Sequence, residues 1–216
     1  MHTEILSQSQ KDILPGLAEV ISGMGLYMAG GTALALQLGH RPSVDFDWFA
    51  PSIGNPEQLF QRLTPSGLPY TILSISHETL YLTINEVQMS FIGYCYPMLR
   101  PPVLWPDYNI HLADIVDIAC MKLSAITNRG SRKNFIDLFF ITRDHIPLNK
   151  CLTLFTQKYQ QRDIGHVLRS LVYFADADSE PEVKIQSEVN WPKIKKTFES
   201  EIKKLTAKNY SDEFYT

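Results

Sequence analysis

Asp45 and Asp47 stand one residue apart in the stretch VDFDWF of this 216-residue chain. In an extended segment, residues i and i+2 share a face, so both carboxylates would project together, about 7 Å apart along the strand. Carboxylates arranged this way bind one or two hard cations such as Mg²⁺ through oxygen. Val44, Phe46 and Trp48 alternate with them and are expected to anchor the opposite face in a core. The same alternation also fits an ordinary half-exposed strand, so Asp-x-Asp decides nothing alone.

The residues just upstream add to it. Gly30 and Gly31 follow the short apolar run LYMA, and a helix ALALQL is expected after them, with Thr32 as its cap and Gly39 as its end. The first amides of such a helix are unpaired and its dipole favours anions, so a phosphate could dock there. A plain strand-to-helix turn would use the same glycines. Glycine turn, short helix and paired acids within 20 residues together supply a phosphate cradle and metal ligands.

Further along, Lys122 falls on the apolar face of the helix DIVDIACMKLSAI, where it must either snorkel or serve a partner. Asp137 lies among Phe135, Ile136, Leu138, Phe139 and Phe140, a setting costly for a carboxylate unless paired. An internal salt bridge to Lys122 or Arg129 would meet that need. Between the two, TNRGSRK places Arg129, Arg132 and Lys133 in one loop able to hold a triphosphate or an RNA backbone, although loop charges are commonly just solvated. His40 and His166 show no metal-ligand spacing, and Ser43 has no recognisable histidine and acid partners for a hydrolytic triad.

The elements that must position these groups follow from periodicity. Apolar residues over positions 4 to 24 predict a helix, LYMAG and VDFDWF read as strands, and a helix is expected over Glu57 to Leu63. Thr71 to Tyr96 is strand-like, with Asn85 and Glu86 as the turn of a hairpin. The proline-rich PMLRPPVLWPDY is read as a connector and as the boundary between residues 1–105, an α+β core, and residues 106–216, a helical domain completing the active-site cleft. DADSEP is read as a loop before a charged helix near WPKIKKTFESEIKKL. Strands and helices first, helices afterwards, give an α+β class with a mixed sheet rather than a doubly wound fold.

Twenty basic against 23 acidic side chains, a formal charge of -3, advertise no global nucleic-acid or membrane surface. Three widely spaced cysteines without a CxxC pair argue against a disulfide framework or structural zinc. No leader and no apolar run of about 20 residues is evident. A cytoplasmic protein without membrane contact is expected.

GGTALALQLGHRPSVDFDWF, followed about 70 residues later by DIACMKLSAITNRGSRKNFIDLFF, resembles the AbiEii/AbiGii toxin family of nucleotidyltransferase-like proteins, the toxin halves of bacterial type IV toxin-antitoxin and phage-defence modules. The resemblance implies a polymerase-β-like nucleotidyltransferase core with a helical C-terminal part, and Mg²⁺-dependent (or Mn²⁺-dependent) transfer from a nucleoside triphosphate. It implies Asp45 and Asp47 as the metal pair and Gly30, Gly31 and Thr32 as the glycine motif. Lys122 matches the lysine motif, Asp137 the downstream acid and Arg129 a nucleotide-binding arginine. A tRNA or other RNA acceptor and a cognate antitoxin are implied partners. Two departures stand out: Asn134 occupies a position where many members carry aspartate, and a later strand that usually bears a third carboxylate offers Ser90. Phosphorylation of a partner protein, or nucleotide binding without catalysis, would use the same motifs.

Overall fold

A computed structural model describes residues 1–213, with side chains through residue 207. After a single 3-10 turn at Thr3–Ile5, helix α1 (Gln8–Ile21) starts at Ser7. The Ser7 hydroxyl accepts the Gln10 amide, and the Gln10 side chain accepts the Ser7 amide, a reciprocal cap that fixes the start. Ile13, Leu14, Leu17, Val20 and Ile21 form its buried stripe.

Strand β1 (Tyr27–Ala29) runs straight into α2 (Gly30–Leu38), and β2 (Phe46–Ala50) returns beside β1. Then come α3 (Glu57–Leu63), β3 (Tyr70–Ser76), β4 (Thr79–Ile84), β5 (Val87–Gly93), β6 (Val103–Trp105) and β7 (Ile110–Leu112). The strands form one sheet in the order β3-β4-β5-β2-β1-β7-β6. Pairing is parallel between β2 and β5 and between β1 and β7, and antiparallel elsewhere, so the sheet is mixed. Asn85 and Glu86 both adopt left-handed φ, +47° and +67°, which a two-residue hairpin turn with the native twist requires. Along β4 and β5, Leu80, Leu82, Ile84, Val87, Met89 and Phe91 are buried on one face. The edge strand β3 carries neither charge nor proline and leaves Ile72, Leu73 and Ile75 exposed.

Residues 106–112, assigned from the prolines to the second domain, join the sheet through β7, whose Leu112 pairs with Met28 of β1. Proline is tolerated nearby because Pro102 and Pro106 flank β6 rather than interrupt it, and β6 is an edge. The connector is pinned by Asp117, a fully buried carboxylate that accepts the amides of Leu99 and Arg100 at 2.9 and 3.0 Å.

The chain divides into two compact units, Met1–Ile118 and the part from Ala119 onward, and the division falls within α4 (Ile115–Asn128). The second unit continues with α5 (Arg132–Asp144), α6 (Leu148–Tyr159), α7 (Gly165–Ser170), α8 (Ala175–Ser179) and α9 (Trp191–Glu213). Its core gathers Phe174, Trp191 and Phe198 around Phe135 at ring distances of 5.1, 5.9 and 5.7 Å. DADSEP is not simply a loop: its first residues complete α8, which the buried Arg132 ties down through bonds to the carbonyls of Ala177 and Asp178 at 2.9 and 3.2 Å. No helix among the described residues is long and apolar enough to cross a membrane.

Candidate functional site

In the first unit the glycine turn and Asp47, the second of the paired acids, are brought together by strand pairing. Ala29, the last residue of β1, lies opposite Asp47 of β2, so Gly30 and Asp47 are neighbours across the sheet. Gly30 has φ +72°, a left-handed conformation that side chains disfavour, and a β-carbon there would collide with Asp47 Oδ2. At Gly31 a β-carbon would come within 2.6 Å of Arg41 Nη2 and 3.2 Å of Ser43 Oγ. Each glycine thus makes room for a side chain delivered by the segment after α2.

Thr32 does not cap α2, which already begins at Gly30 after Ala29. Its hydroxyl instead donates to the main-chain carbonyl of Asp45 and shares a 2.8 Å hydrogen bond with Ser43 Oγ. This ties the turn that presents Asp45 to the first turn of the helix. Asp45 itself precedes β2, which starts only at Phe46; both acids are half-buried. Phe46 and Trp48 are fully buried, as the alternation predicts, but Val44 is 56% exposed because it lies ahead of the strand.

Asp47 is held from a third side. Ser90 of β5 is its partner in the parallel ladder, and Ser90 Oγ donates to Asp47 Oδ1 at 2.6 Å. The oxygen donors of Asp45 and Asp47 suit a hard cation such as Mg²⁺ or Mn²⁺, which keeps several waters and needs only one or two carboxylates. Among the described residues, no group of three or more histidine, cysteine or acidic side chains could hold a metal.

Lys122 and Asp137 meet within the second unit. Lys122 Nζ lies 2.6 Å from Asp137 Oδ2 and donates to Asn134 Oδ1 at 3.3 Å. The lysine side chain is 8% exposed and the aspartate is fully buried. The ammonium therefore sits between a carboxylate and the Asn134 amide oxygen. Arg129 stands apart, its side chain 82% exposed and its guanidinium 3.9 Å from Glu180. It lines an open groove of about 830 Å³ with Asn128, Lys133, Asn134 and Glu182. Arg132, grouped with it in sequence, faces inward and is structural.

Sequence reasoning missed Arg41 and the shared work of Thr32 and Ser43. Arg41 is 2% exposed and packed against Gly31, yet in sequence it is one charge in an apparent loop. The available signal was the demand of two adjacent glycines for something to fill the space beside them.

No family model matches the chain. Among solved structures it is similar to a putative nucleotidyltransferase from H. pylori, with a TM-score of 0.55 and 14% identity over 91% of this chain and 95% of that one. It is also similar to MenT4, a nucleotidyltransferase toxin from Mycobacterium tuberculosis, with a TM-score of 0.60 and 15% identity over 89% and 80%. At these identities the likeness shows the fold, an α+β nucleotidyltransferase fold with a helical C-terminal part. In sequence it is 35% identical over 204 residues, 92% of this chain and 96% of the relative, to the uncharacterized protein aq_aa25 of Aquifex aeolicus. With that identity sustained over nearly the whole of both chains, the protein belongs to the family of Aquifex aeolicus aq_aa25.

Proposed function

We propose that the protein is a nucleotidyltransferase that moves a nucleoside monophosphate from a nucleoside triphosphate to an acceptor hydroxyl on tRNA or another RNA. In the cell it would act as the cytoplasmic toxin of an AbiEii-like toxin-antitoxin or phage-defence module, restrained by a cognate antitoxin. The observation that carries this reading is Asp47 held beside the Gly30 turn at the start of α2, with Asp45 two residues ahead of it and tied through its main-chain carbonyl to Thr32, on a nucleotidyltransferase fold.

Bound by Asp45 and Asp47, Mg²⁺ or Mn²⁺ would neutralise triphosphate charge and polarise the phosphorus under attack. The chain's own share is positioning. Thr32 and Ser43 hold the turn that carries Asp45, and Ser90 and Gly30 fix Asp47. The amides of Gly31 and Thr32, in the first turn of α2 where main-chain donors lack intrahelical partners, are proposed to meet phosphate oxygens. The acceptor hydroxyl attacks the α-phosphorus in line, its oxygen bonding to phosphorus as the bond to pyrophosphate breaks and its proton passing to solvent, with rate gained mainly from orientation and charge neutralisation. Lys122, Asp137 and Arg129 are proposed to serve the same reaction, Lys122 as a phosphate cation that Asp137 positions.

The test is to incubate the protein with Mg²⁺ or Mn²⁺, total bacterial RNA and each of four α-labelled nucleoside triphosphates, beside an Asp45→Asn control. Label on RNA that vanishes with Asp45→Asn is the expected result. Label that persists in the variant would overturn the assignment of the site. Transfer from γ-labelled but not α-labelled nucleotide would establish phosphoryl transfer instead.

A further inference from the structure

Ser90 is buried, in register with Asp47 on the adjacent strand, and donates its proton to Asp47 Oδ1 at 2.6 Å. We infer that Ser90 sets the cation count of the site at one. The inference rests on the nucleotidyltransferase reading above and concerns the chain's own ligands for the metal.

Two divalent cations about 4 Å apart repel strongly, and sites that hold such a pair need anionic oxygens enough to bridge and offset both. Asp45 and Asp47 together supply two negative charges, which match one divalent ion. The residue beside Asp47 where a further carboxylate would extend the pair is Ser90, and no group of three candidate ligands exists among the described residues. The Ser90 side chain is a neutral hydroxyl donating to Asp47, so it adds no anionic oxygen to the pair. That bond also occupies one lone pair of Oδ1, while Oδ2 lies against Gly30. Asp47 is thereby confined to one orientation and presents a restricted set of oxygens to metal. A second cation, where chemistry requires one, would have to arrive with the triphosphate.

The count can be read without activity, by titrating Mn²⁺ alone onto the full-length protein and measuring free Mn²⁺ by electron paramagnetic resonance. Only binding removed by Asp45→Asn is scored. One Mn²⁺ per chain is expected for the wild type and for Ser90→Ala, which deletes the hydroxyl without adding charge. Ser90→Asp is expected to raise the count to two. Two Mn²⁺ on the wild type would overturn the inference, as would a count of one for Ser90→Asp with an unchanged circular dichroism spectrum. The wild-type count stands whether or not Ser90→Asp folds. RNA labelling by a wild type that carries two Mn²⁺ would sink this inference alone; absence of both labelling and Asp45-dependent Mn²⁺ would sink the functional reading as well.

Discussion

Removing Lys122 would take away the ammonium 2.6 Å from Asp137 and leave that carboxylate fully buried. Breaking one half of a buried pair costs about 3–5 kcal/mol, whereas replacing both halves with apolar residues of similar volume is often neutral. Lys122→Met should therefore lower the unfolding free energy by about 3 kcal/mol or more in urea titration, and Lys122→Met/Asp137→Leu should recover most of it. Transfer to RNA should stay absent in the recovered double variant; its return would make the pair purely structural. Cysteine reactivity separates by burial in the same way: the Cys151 thiol is pushed up to about 12 by desolvation, whereas Cys95 is exposed. A maleimide reagent at neutral pH should label Cys95 in the native protein and Cys151 only after unfolding, as peptide mapping would report. At this scale the sequence was legible where a residue contradicts its surroundings. Lys122 on an apolar face and Asp137 among aromatics announce themselves, and Arg129 beside them does not reveal that it is solvated while Arg132 is not. Thr32 was misread as a cap because its partners, Ser43 and the Asp45 carbonyl, are reached only after the chain has folded back.

Elements place the site through two features that periodicity does not encode, strand register and backbone handedness. Gly30 must be left-handed and must also clear Asp47, so Gly30→Ala faces a conformational penalty of about 1 kcal/mol in addition to a steric one. Its expected signature is a fall in Asp45-dependent Mn²⁺ affinity larger than its effect on the urea midpoint would explain. Loss of stability with unaltered Mn²⁺ binding would show that the turn does not position Asp47. At the opposite end of β2, Glu78 in the β3–β4 turn latches the following loop, accepting the Ser52 hydroxyl at 2.7 Å and the Ile53 amide at 2.8 Å. Those bonds hold its carboxyl below the usual 4.5, so the latch is fully made above that pH and is lost as pH falls through the depressed value. Protection of the Ile53 amide, measured against its intrinsic exchange rate, should fall on acidification below about pH 4.5, and Glu78→Gln should remove that dependence. The helix Glu57–Leu63 and the Asn85–Glu86 hairpin were readable because local chemistry decides them. Strands β6 and β7 were not, because three-residue strands beside prolines carry no period and exist through pairing with a sheet built elsewhere in the chain.

For the molecule as a whole, a formal charge of -3 means that any RNA must be held by local cations rather than by a general field. Arg129 and Lys133 are exposed on the open groove of the second unit, which Glu180 and Glu182 also line, so they can hold about two phosphates at most. The logarithm of RNA affinity against the logarithm of salt should therefore fall with a slope of about -1.5, measured by filter binding. A slope steeper than about -4 would contradict so small a footprint. The α+β class was readable from the order of strand-like and helical segments, while the division inside α4 was hidden because a continuous helix shows no break in composition. The sheet also ends on β3, uncharged and with Ile72, Leu73 and Ile75 in water, lacking the lysine or proline that commonly guards such an edge. In practical terms, concentrated solutions should be limited by the colloidal behaviour of this one strand before the core begins to fail. Leu73→Lys should lower light scattering at high concentration without moving the urea midpoint, and would give the more tractable protein for crystallisation or spectroscopy.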